Sequence, residues 1–335
     1  MAEPAALRRV TISGVPGIPR ILCSVLLVAV VAGACSSPAP TGATATTTSS
    51  DAGATTGVPP NGDFAARVPV AGRRVYLECH GSGRPTVVLQ TGYGNAGDIW
   101  STATAHLPAV APGLAATNRV CVYDRPGTTL SLDDAGNPLP TAQPGRSDQV
   151  PMPRTATAVV TEWHDLLATA GVPGPYLFVG HSIGGLFTVL YARVYPDQVA
   201  GMVLVDATPP AFASLLPPKS LTLLEASLKA PSSIPGYPYE GYDLDDILRS
   251  IDAAPAWRPA PSTLLFAGQP QRVSDPAAQE FLKDVAVVQD QARAQFAASI
   301  PGATTSVVSD ATHYIHVERP DAVIEAVRAV AGKVQ

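Results

Sequence analysis

The sequence predicts an α/β fold in which a mostly parallel sheet of eight strands is flanked by helices. Three observations lead to this prediction. Short apolar segments alternate with segments of helical periodicity, the pattern of parallel strands joined by crossover helices. The chain of 335 residues is 46% apolar, which is enough for a sizeable core. At one junction of strand and helix, Gly180 to Gly185, a serine is enclosed by glycines.

Residues 1–35 are predicted to be a signal peptide that precedes the fold. Three arginines come before the apolar run 21–31, and small residues follow it. This order is typical of secretory signals. The run is shorter than the roughly 20 residues that a membrane-spanning helix needs. We therefore expect an exported protein.

Two interpretations of the cleavage junction stay open. Cys35 follows Ala32-Gly33-Ala34, and a cysteine after small residues resembles the lipobox of bacterial lipoproteins, in which that cysteine is lipidated. Ala32 stands where the lipobox prefers Leu, and the same residues satisfy the rule for ordinary signal cleavage. The protein is expected either in the cell envelope, with its only membrane contact through a lipid on Cys35, or as a secreted protein.

Residues 36–61 are predicted to be a disordered linker. They are nearly all Ala, Gly, Thr, Ser and Pro, with too little apolar bulk to offset the entropy of ordering. No similar segment and no internal repeat follows, so residues 62–335 are predicted to form one domain.

The elements of this domain follow from local periodicity. The predicted strands lie near 65–70, 73–79, 86–90, 120–123, 176–179, 202–205, 263–267 and 304–308. The predicted helices are 155–170, 183–194, 277–298 and 321–330, with a further helix over 244–251. Asp243 is the candidate N-cap of that last helix.

Ser182 is the candidate nucleophile. Gly180-His181-Ser182-Ile183-Gly184 is a G-x-S-x-G sequence between a strand and a helix, the context in which this motif forms a nucleophile elbow. A turn this sharp requires neighbours without bulk, which explains the glycines. The helix that begins at Ile183 turns unpaired amides toward negative charge near Ser182. The alternative interpretation is that the glycines only allow close packing.

From about Gly72 to Ala331 the chain resembles the α/β-hydrolase superfamily of serine hydrolases. Besides the elbow, three segments carry the resemblance. V-V-L-Q-T-G-Y-G at 87–94, followed by Trp100, resembles the family's oxyanion loop, and Y-D-R-P-G at 123–127 resembles its strand-ending Y-D-R-x-G. T-H at 312–313, followed after a strand-like gap by E-R-P, resembles its catalytic histidine turn. Thr91 stands where many members have His. The resemblance implies an α/β-hydrolase fold and an esterase or lipase-like activity.

The resemblance assigns the general base to His313. Imidazole chemistry agrees, because its pKa suits proton transfer near neutral pH. His316 is the nearest alternative and is better explained as a packing or hydrogen-bonding residue. The remaining histidines are expected to be structural or to shape the substrate site: His80, His106, His164 and His181.

The acid of the triad departs from the common pattern of the family. Most members carry it after the strand that here is 263–267, but Gly268-Gln269-Pro270-Gln271 contains no carboxylate. Some lipases of this fold carry it one strand earlier, where Asp206 follows V-L-V. We predict Asp206 as the acid. Asp275 is the alternative, Asp310 is a weaker one, and a loop-capping role for Asp206 is the non-catalytic interpretation.

The predicted reaction needs neither a cofactor nor a metal ion. Ser182 attacks a carbonyl, His313 transfers the proton, and water releases an acyl-enzyme. The backbone amides of Tyr93 and Ile183 are the predicted oxyanion donors, each stabilising the transition state by roughly 3 to 4 kcal/mol. The expected partner is a small ester or amide. A net charge of −5 without later basic runs argues against nucleic acid.

Residues of about 207–261 correspond to the lid of the family. Their leucines and tyrosines suggest an acyl or aryl ester, although packing would explain many of them: Leu215, Leu216, Leu221, Leu223, Leu224, Tyr237, Tyr239 and Tyr242. Acidic residues, among them Glu240 and Asp245, leave open a proline-iminopeptidase-like alternative in which lid carboxylates hold a free amine. A non-catalytic binding protein of this fold is a second alternative.

The resemblance also implies a disulfide. Cys79 ends the second strand and Cys121 begins the fourth, and these strands are antiparallel neighbours in the fold that the chain resembles. An exported domain lies in a compartment that permits disulfides. A bridge between Cys79 and Cys121 is therefore predicted.

Overall fold

The computed structural model of the protein describes residues 62–103, 107–132, 138–229 and 239–334. The predicted signal peptide, Cys35 and the linker lie outside the described residues, as do His106 and Tyr237. None of the helices in the described ranges is long and apolar enough to cross a membrane.

An eight-stranded sheet forms the centre of the described part. The described ranges contain the strands β1 (Phe64–Val70), β2 (Arg73–His80), β3 (Thr86–Gln90), β4 (Val120–Tyr123), β5 (Thr129–Leu132), β6 (Pro138–Pro144), β7 (Tyr176–His181), β8 (Val199–Val205), β9 (Ser262–Ala267) and β10 (Thr304–Val308). All of them except β5 and β6 belong to this sheet. The order in the sheet is β1-β2-β4-β3-β7-β8-β9-β10. Strand β2 is antiparallel to β1 and β4, and the other neighbours are parallel. The predicted fold class is therefore confirmed.

Helices cover both faces of this sheet. They are α1 (Val110–Ala115), α2 (Ala156–Thr169), α3 (Ile183–Val194), α4 (Phe212–Leu215), α5 (Pro218–Lys229), α6 (Leu244–Ala253), α7 (Pro276–Ser299), α8 (Ile315–Glu318) and α9 (Pro320–Ala331). Val88 of β3 packs in the core with α2, α3 and α6, whereas Val87 and Leu89 pack in a second core with α1 and α9. Because both faces are buried, the central strands read as continuous apolar runs.

Most differences from the predicted elements concern short segments, but the twelve-residue helix α5 was not predicted either. Strands β5 and β6 form a separate antiparallel pair that the sequence did not predict. The gap before Glu318, predicted to be strand-like, is instead the single helical turn α8. Four residues are too few to display helical periodicity, so the pattern could not distinguish the two.

The disulfide implied by the resemblance is present. Cys79 lies directly opposite Cys121 in the register of β2 and β4, with 4.1 Å between their α-carbons. Both side chains are buried in the core between the sheet and α2.

Candidate active site

Ser182 lies in a strained turn between β7 and α3. Its φ of 54° and ψ of −127° are unusual for a residue with a side chain. The backbones approach so closely here that a Cβ at Gly184 would lie 2.2 Å from the carbonyl oxygen of Thr91. A Cβ at Gly185 would lie 2.3 Å from the Cβ of Ala207. The small residues thus permit the sharp turn that exposes the serine.

The structure brings His313 and Asp206 together. Nδ1 of His313 donates a hydrogen bond to Oδ2 of Asp206 at 2.8 Å. Because a carboxylate only accepts, the proton of a neutral His313 sits on Nδ1, which leaves Nε2 bare to take a proton. Asp206 follows β8 directly and has a positive φ of 40°.

The two alternative acids are engaged elsewhere. Asp275 is the N-cap of α7, where its side chain accepts a hydrogen bond from the amide of Ala278 at 2.8 Å. Asp310 accepts two hydrogen bonds of 2.6 Å from the guanidinium of Arg319. Of the three candidate acids, Asp206 is the one that contacts His313.

The second oxygen of Asp206 is held as well. Oδ1 accepts hydrogen bonds from the amide of Ala267 at 3.0 Å and from Nη2 of Arg293 at 3.2 Å. Burial raises the pKa of Asp206, but the hydrogen bonds from His313 and the amide of Ala267, together with the positive charge of Arg293, outweigh it and hold the pKa below its ordinary value. The carboxylate therefore stays ionised. Sequence reasoning missed Arg293, because it lies within a long helix and belongs to no motif.

His181 links three parts of the site. Its Nε2 donates a hydrogen bond to the carbonyl oxygen of His313 at 2.9 Å. Its ring also lies so close to Gly92 that a Cβ there would be 2.6 Å from Nδ1. Burial lowers the pKa of His181 well below its ordinary value. A neutral imidazole beside Ser182 thus supports the histidine loop and the oxyanion loop.

His316 has the contacts of a packing residue. Its ring is fully buried, 4.6 Å from the ring of Trp100 and 4.3 Å from that of His181. Neither ring nitrogen finds a hydrogen-bond partner among the residues that the structure describes. Burial lowers its pKa to about 3. Of the other histidines, His80 lies at the exposed end of β2 and His164 stacks on Tyr195.

Ser182 opens into a small apolar cavity of ≈ 30 Å³. That volume holds about two water molecules. Its lining residues are Tyr93, Ser182, Ile183, Leu186, Thr208, Leu224, Leu228 and Leu244. The predicted oxyanion donors, Tyr93 and Ile183, therefore line the same cavity as the serine. Helices α5 and α6 of the insertion between β8 and β9 (residues 207–261) supply Leu224, Leu228 and Leu244.

Three carboxylates of the insertion are engaged within the fold. Glu240 is fully buried and pairs with Arg125 through bonds of 2.6 and 3.0 Å. Asp243 caps α6 and pairs with Lys229. Asp246 accepts a hydrogen bond from the amide of Ala156. Asp245 is exposed.

Within the described ranges, no cluster of three or more His, Cys, Asp or Glu side chains is arranged to hold a metal ion.

Comparisons with known proteins agree with this architecture. YqjL of Bacillus subtilis is 32% identical over 126 residues, which are 38% of this chain and 41% of YqjL. A protein of Schizosaccharomyces pombe is 36% identical over 98 residues, 29% of this chain and 15% of that protein. The match thus spans less than half of either relative.

Among solved structures, Est816, described as an N-acyl homoserine lactone degrading enzyme, aligns with 78% of this chain and 98% of its own. The TM-score is 0.50 at 21% identity, a likeness of fold. The model of the Alpha/beta hydrolase family matches residues 79–326, which is most of the chain. The chain belongs to the alpha/beta hydrolase family.

Proposed function

We propose that this protein is an exported serine hydrolase that cleaves carboxylic esters through an acyl-enzyme on Ser182. The observation that carries the proposal is the 2.8 Å hydrogen bond from Nδ1 of His313 to Asp206. Asp206 follows Val205, whose carbonyl oxygen accepts the amide of Ser182 in the strained elbow. A buried carboxylate that orients an imidazole near a serine is the arrangement that activates a hydroxyl.

The chemistry follows from the tautomer of His313. Nε2 takes the proton of Ser182 as the oxygen attacks the ester carbonyl, and the ionised Asp206 stabilises the imidazolium that forms. The amides of Tyr93 and Ile183 donate to the oxyanion. His313 then returns the proton to the leaving alcohol. Water adds to the acyl-enzyme by the same route and releases the acid.

The shape of the cavity supports an ester with a short apolar acyl group. Four of its eight lining residues are leucines of α3, α5 and α6, which offer no hydrogen bonds to a polar substrate. At ≈ 30 Å³ it accepts a group about the size of a methyl or ethyl. Acetyl and propionyl esters are therefore the expected substrates of this conformation.

The contacts of Glu240 weigh against the peptidase alternative. A proline-iminopeptidase-like enzyme would need lid carboxylates free to bind an amine. Glu240 is already paired with Arg125, and Asp243 caps a helix. A substrate amine would have to displace these partners, and the exposed Asp245 does not line the cavity at Ser182, which favours an ester.

Export is supported by the buried disulfide, because disulfides persist mainly in oxidising compartments. We propose that the segment before residue 62 carries the domain outside the cytoplasm, either on a lipid attached to Cys35 or as a freely secreted protein. Mass spectrometry of the mature N-terminus separates the two. A diacylglyceryl adduct on Cys35 indicates the lipoprotein, and an unmodified terminus indicates secretion.

Covalent labelling with a fluorophosphonate tests the catalytic proposal. The wild-type protein and Ser214→Ala, which changes an exposed serine of the insertion, should be labelled, and Ser182→Ala should not. A panel of p-nitrophenyl esters of increasing chain length, with proline arylamides beside it, should show fastest turnover of the shortest esters. An unlabelled wild type would favour the binding protein, and faster cleavage of the arylamides would favour the peptidase.

A further inference from the structure

We propose that the buried pair of Arg125 and Glu240 positions the amide of Tyr93 that receives the oxyanion, and that it ties the insertion to the catalytic centre. Both are positioning residues, since neither lines the cavity at Ser182. The inference rests on the proposed function, because an oxyanion forms only if Ser182 attacks a carbonyl.

Arg125 holds the oxyanion loop by its backbone. Nη1 donates to the carbonyl oxygen of Thr91 at 2.8 Å and to its hydroxyl at 2.9 Å. Nη2 donates to the carbonyl oxygen of Gly92 at 2.7 Å. The guanidinium is fully buried. A planar group with fixed donors therefore sets the orientation of two successive peptide groups.

The bond to Gly92 acts directly on Tyr93. The carbonyl of Gly92 and the amide of Tyr93 belong to one planar peptide group, in which C=O and N–H point in opposite directions. When Arg125 draws the oxygen toward itself, the N–H of Tyr93 must point the other way. Tyr93 lines the cavity of Ser182, so the rotation of this peptide decides whether its amide meets an oxyanion.

Glu240 holds the next peptide of the same loop. Its Oε2 accepts a hydrogen bond from the amide of Gly94 at 2.7 Å. Its Oε1 accepts from Nε of Arg125 at 2.6 Å and from the hydroxyl of Tyr242. The peptide groups on both sides of Tyr93 are thus fixed by the two members of one ion pair.

The pair also joins two distant parts of the chain. Arg125 follows β4, whereas Glu240 belongs to the insertion. The backbones meet closely beside the pair, since a Cβ at Gly127 would lie 2.5 Å from the carbonyl oxygen of Tyr239. The oxyanion loop therefore has its observed geometry only when this part of the insertion is docked.

Stability alone does not explain such a pair. Replacing a buried ion pair by apolar side chains of similar volume is often neutral or stabilising. Burial lowers the pKa of Arg125, but the carboxylate of Glu240 outweighs it and raises the pKa above its ordinary value, so the guanidinium stays charged. A charged donor orients a carbonyl more strongly than a neutral one. Positioning accounts for the retained charge.

The test compares Glu240→Gln with Glu162→Gln. Glu162 is also a buried carboxylate, paired with Arg73 and Arg154, and it belongs to α2 rather than to the oxyanion loop. Initial rates with p-nitrophenyl acetate are normalised to the folded fraction. Glu240→Gln should lower kcat about 100-fold with KM within about threefold, the pattern of a transition-state interaction. Glu162→Gln should retain the wild-type kcat.

Two further measurements keep the result decisive. The double variant Arg125→Met/Glu240→Gln leaves no unpaired charge in the core, so it should fold and show the same loss of kcat. Hydrogen exchange of peptides that cover residues 91–97 should accelerate in Glu240→Gln but not in Glu162→Gln, and this readout needs no turnover.

The outcomes separate the two proposals. A wild type that fluorophosphonate does not label overturns the proposed function, while faster exchange in Glu240→Gln would still support the positioning of the loop. A wild-type kcat in folded Glu240→Gln, an equal loss in Glu162→Gln, or unchanged exchange at 91–97 would overturn the inference.

Discussion

Strands β8 and β9 are parallel neighbours, yet only β8 ends in a carboxylate that meets His313. Asp206 follows β8, donates its amide to the carbonyl oxygen of Leu265 and accepts the amide of Ala267 on its side chain. After β9, Gly268 and Gln269 turn toward β10 instead, and the side chain of Gln269 donates to the carbonyl oxygen of Ser309.

Parallel strands lie about 4.8 Å apart, so adjacent strand ends can both approach one imidazole. The fold therefore fixes the place of the acid only to within one strand. Which strand end supplies it is decided by side chains.

The largest expected effect comes from removing the acid. Asp206→Asn should lower kcat on the order of 10⁴-fold, because an amide no longer selects the tautomer with a bare Nε2. Asp275→Asn should leave kcat within about twofold, since Asn is also a good N-cap. Rates with a p-nitrophenyl ester decide. A large loss of kcat in Asp275→Asn with little loss in Asp206→Asn would instead assign the role of the acid to Asp275, which follows β9.

The next largest expected effect concerns the disulfide, which is distant from the ends of β8 and β9. Replacing both Cys79 and Cys121 by Ala should lower the free energy of unfolding by about 4 kcal/mol in the chain-entropy account of a 42-residue separation. Activity per folded molecule should stay unchanged, because β4 and β3 separate β2 from β7. Denaturant unfolding and active-site titration measure the two. A loss of titratable serine would show that the sheet transmits the change to the strand ends.

A smaller expected effect concerns the buried imidazole of His316, which packs against the rings of Trp100 and His181. Folding lowers the pKa of His316 from 6.5 to about 3, so between these values the unfolded chain binds a proton that the folded chain does not. Stability from this group is complete above pH 6.5 and is lost as the pH falls toward 3.

His316→Leu should remove this dependence, which amounts to about 3 kcal/mol at about pH 4.5. Unfolding of wild type and variant across pH 4 to 7.5 measures it. Parallel pH curves for the two proteins would contradict the prediction.

The smallest expected effect comes from moving the carboxylate from the end of β8 to the end of β9. In the Asp206→Asn background, Gln269→Asp places a carboxylate after β9, where most of the family carries it. Less than tenfold recovery of kcat is expected, because the side chain at 269 is directed to the carbonyl oxygen of Ser309, whereas Asp206 is held by Arg293. Full recovery would show that either strand end serves this histidine.

The sequence predicted the sheet because its central strands are buried on both faces and flanked by clear turns. Ser182 and His313 were predicted because their motifs are local. Asp206 needed a choice between two strand ends, since no short pattern surrounds it. Arg293 and the pairing of Arg125 with Glu240 join residues separated by 87 and 115 positions. Contacts at such separation leave no periodicity or spacing by which a single sequence reveals them.

Ser182 and Asp206 share a backbone feature that opposes folding. Together with Ala71 they are the non-glycine residues at positive φ in the described ranges. An L-residue in such a conformation costs roughly 1 to 2 kcal/mol relative to glycine. Relief of this strain would favour Gly at position 182, whereas Gly at position 206 would also lose the hydrogen bonds of Asp206 to His313, Ala267 and Arg293. A mutant library designed to raise the stability of this protein should keep Ser182 and Asp206 unchanged, so that the proposed activity is retained.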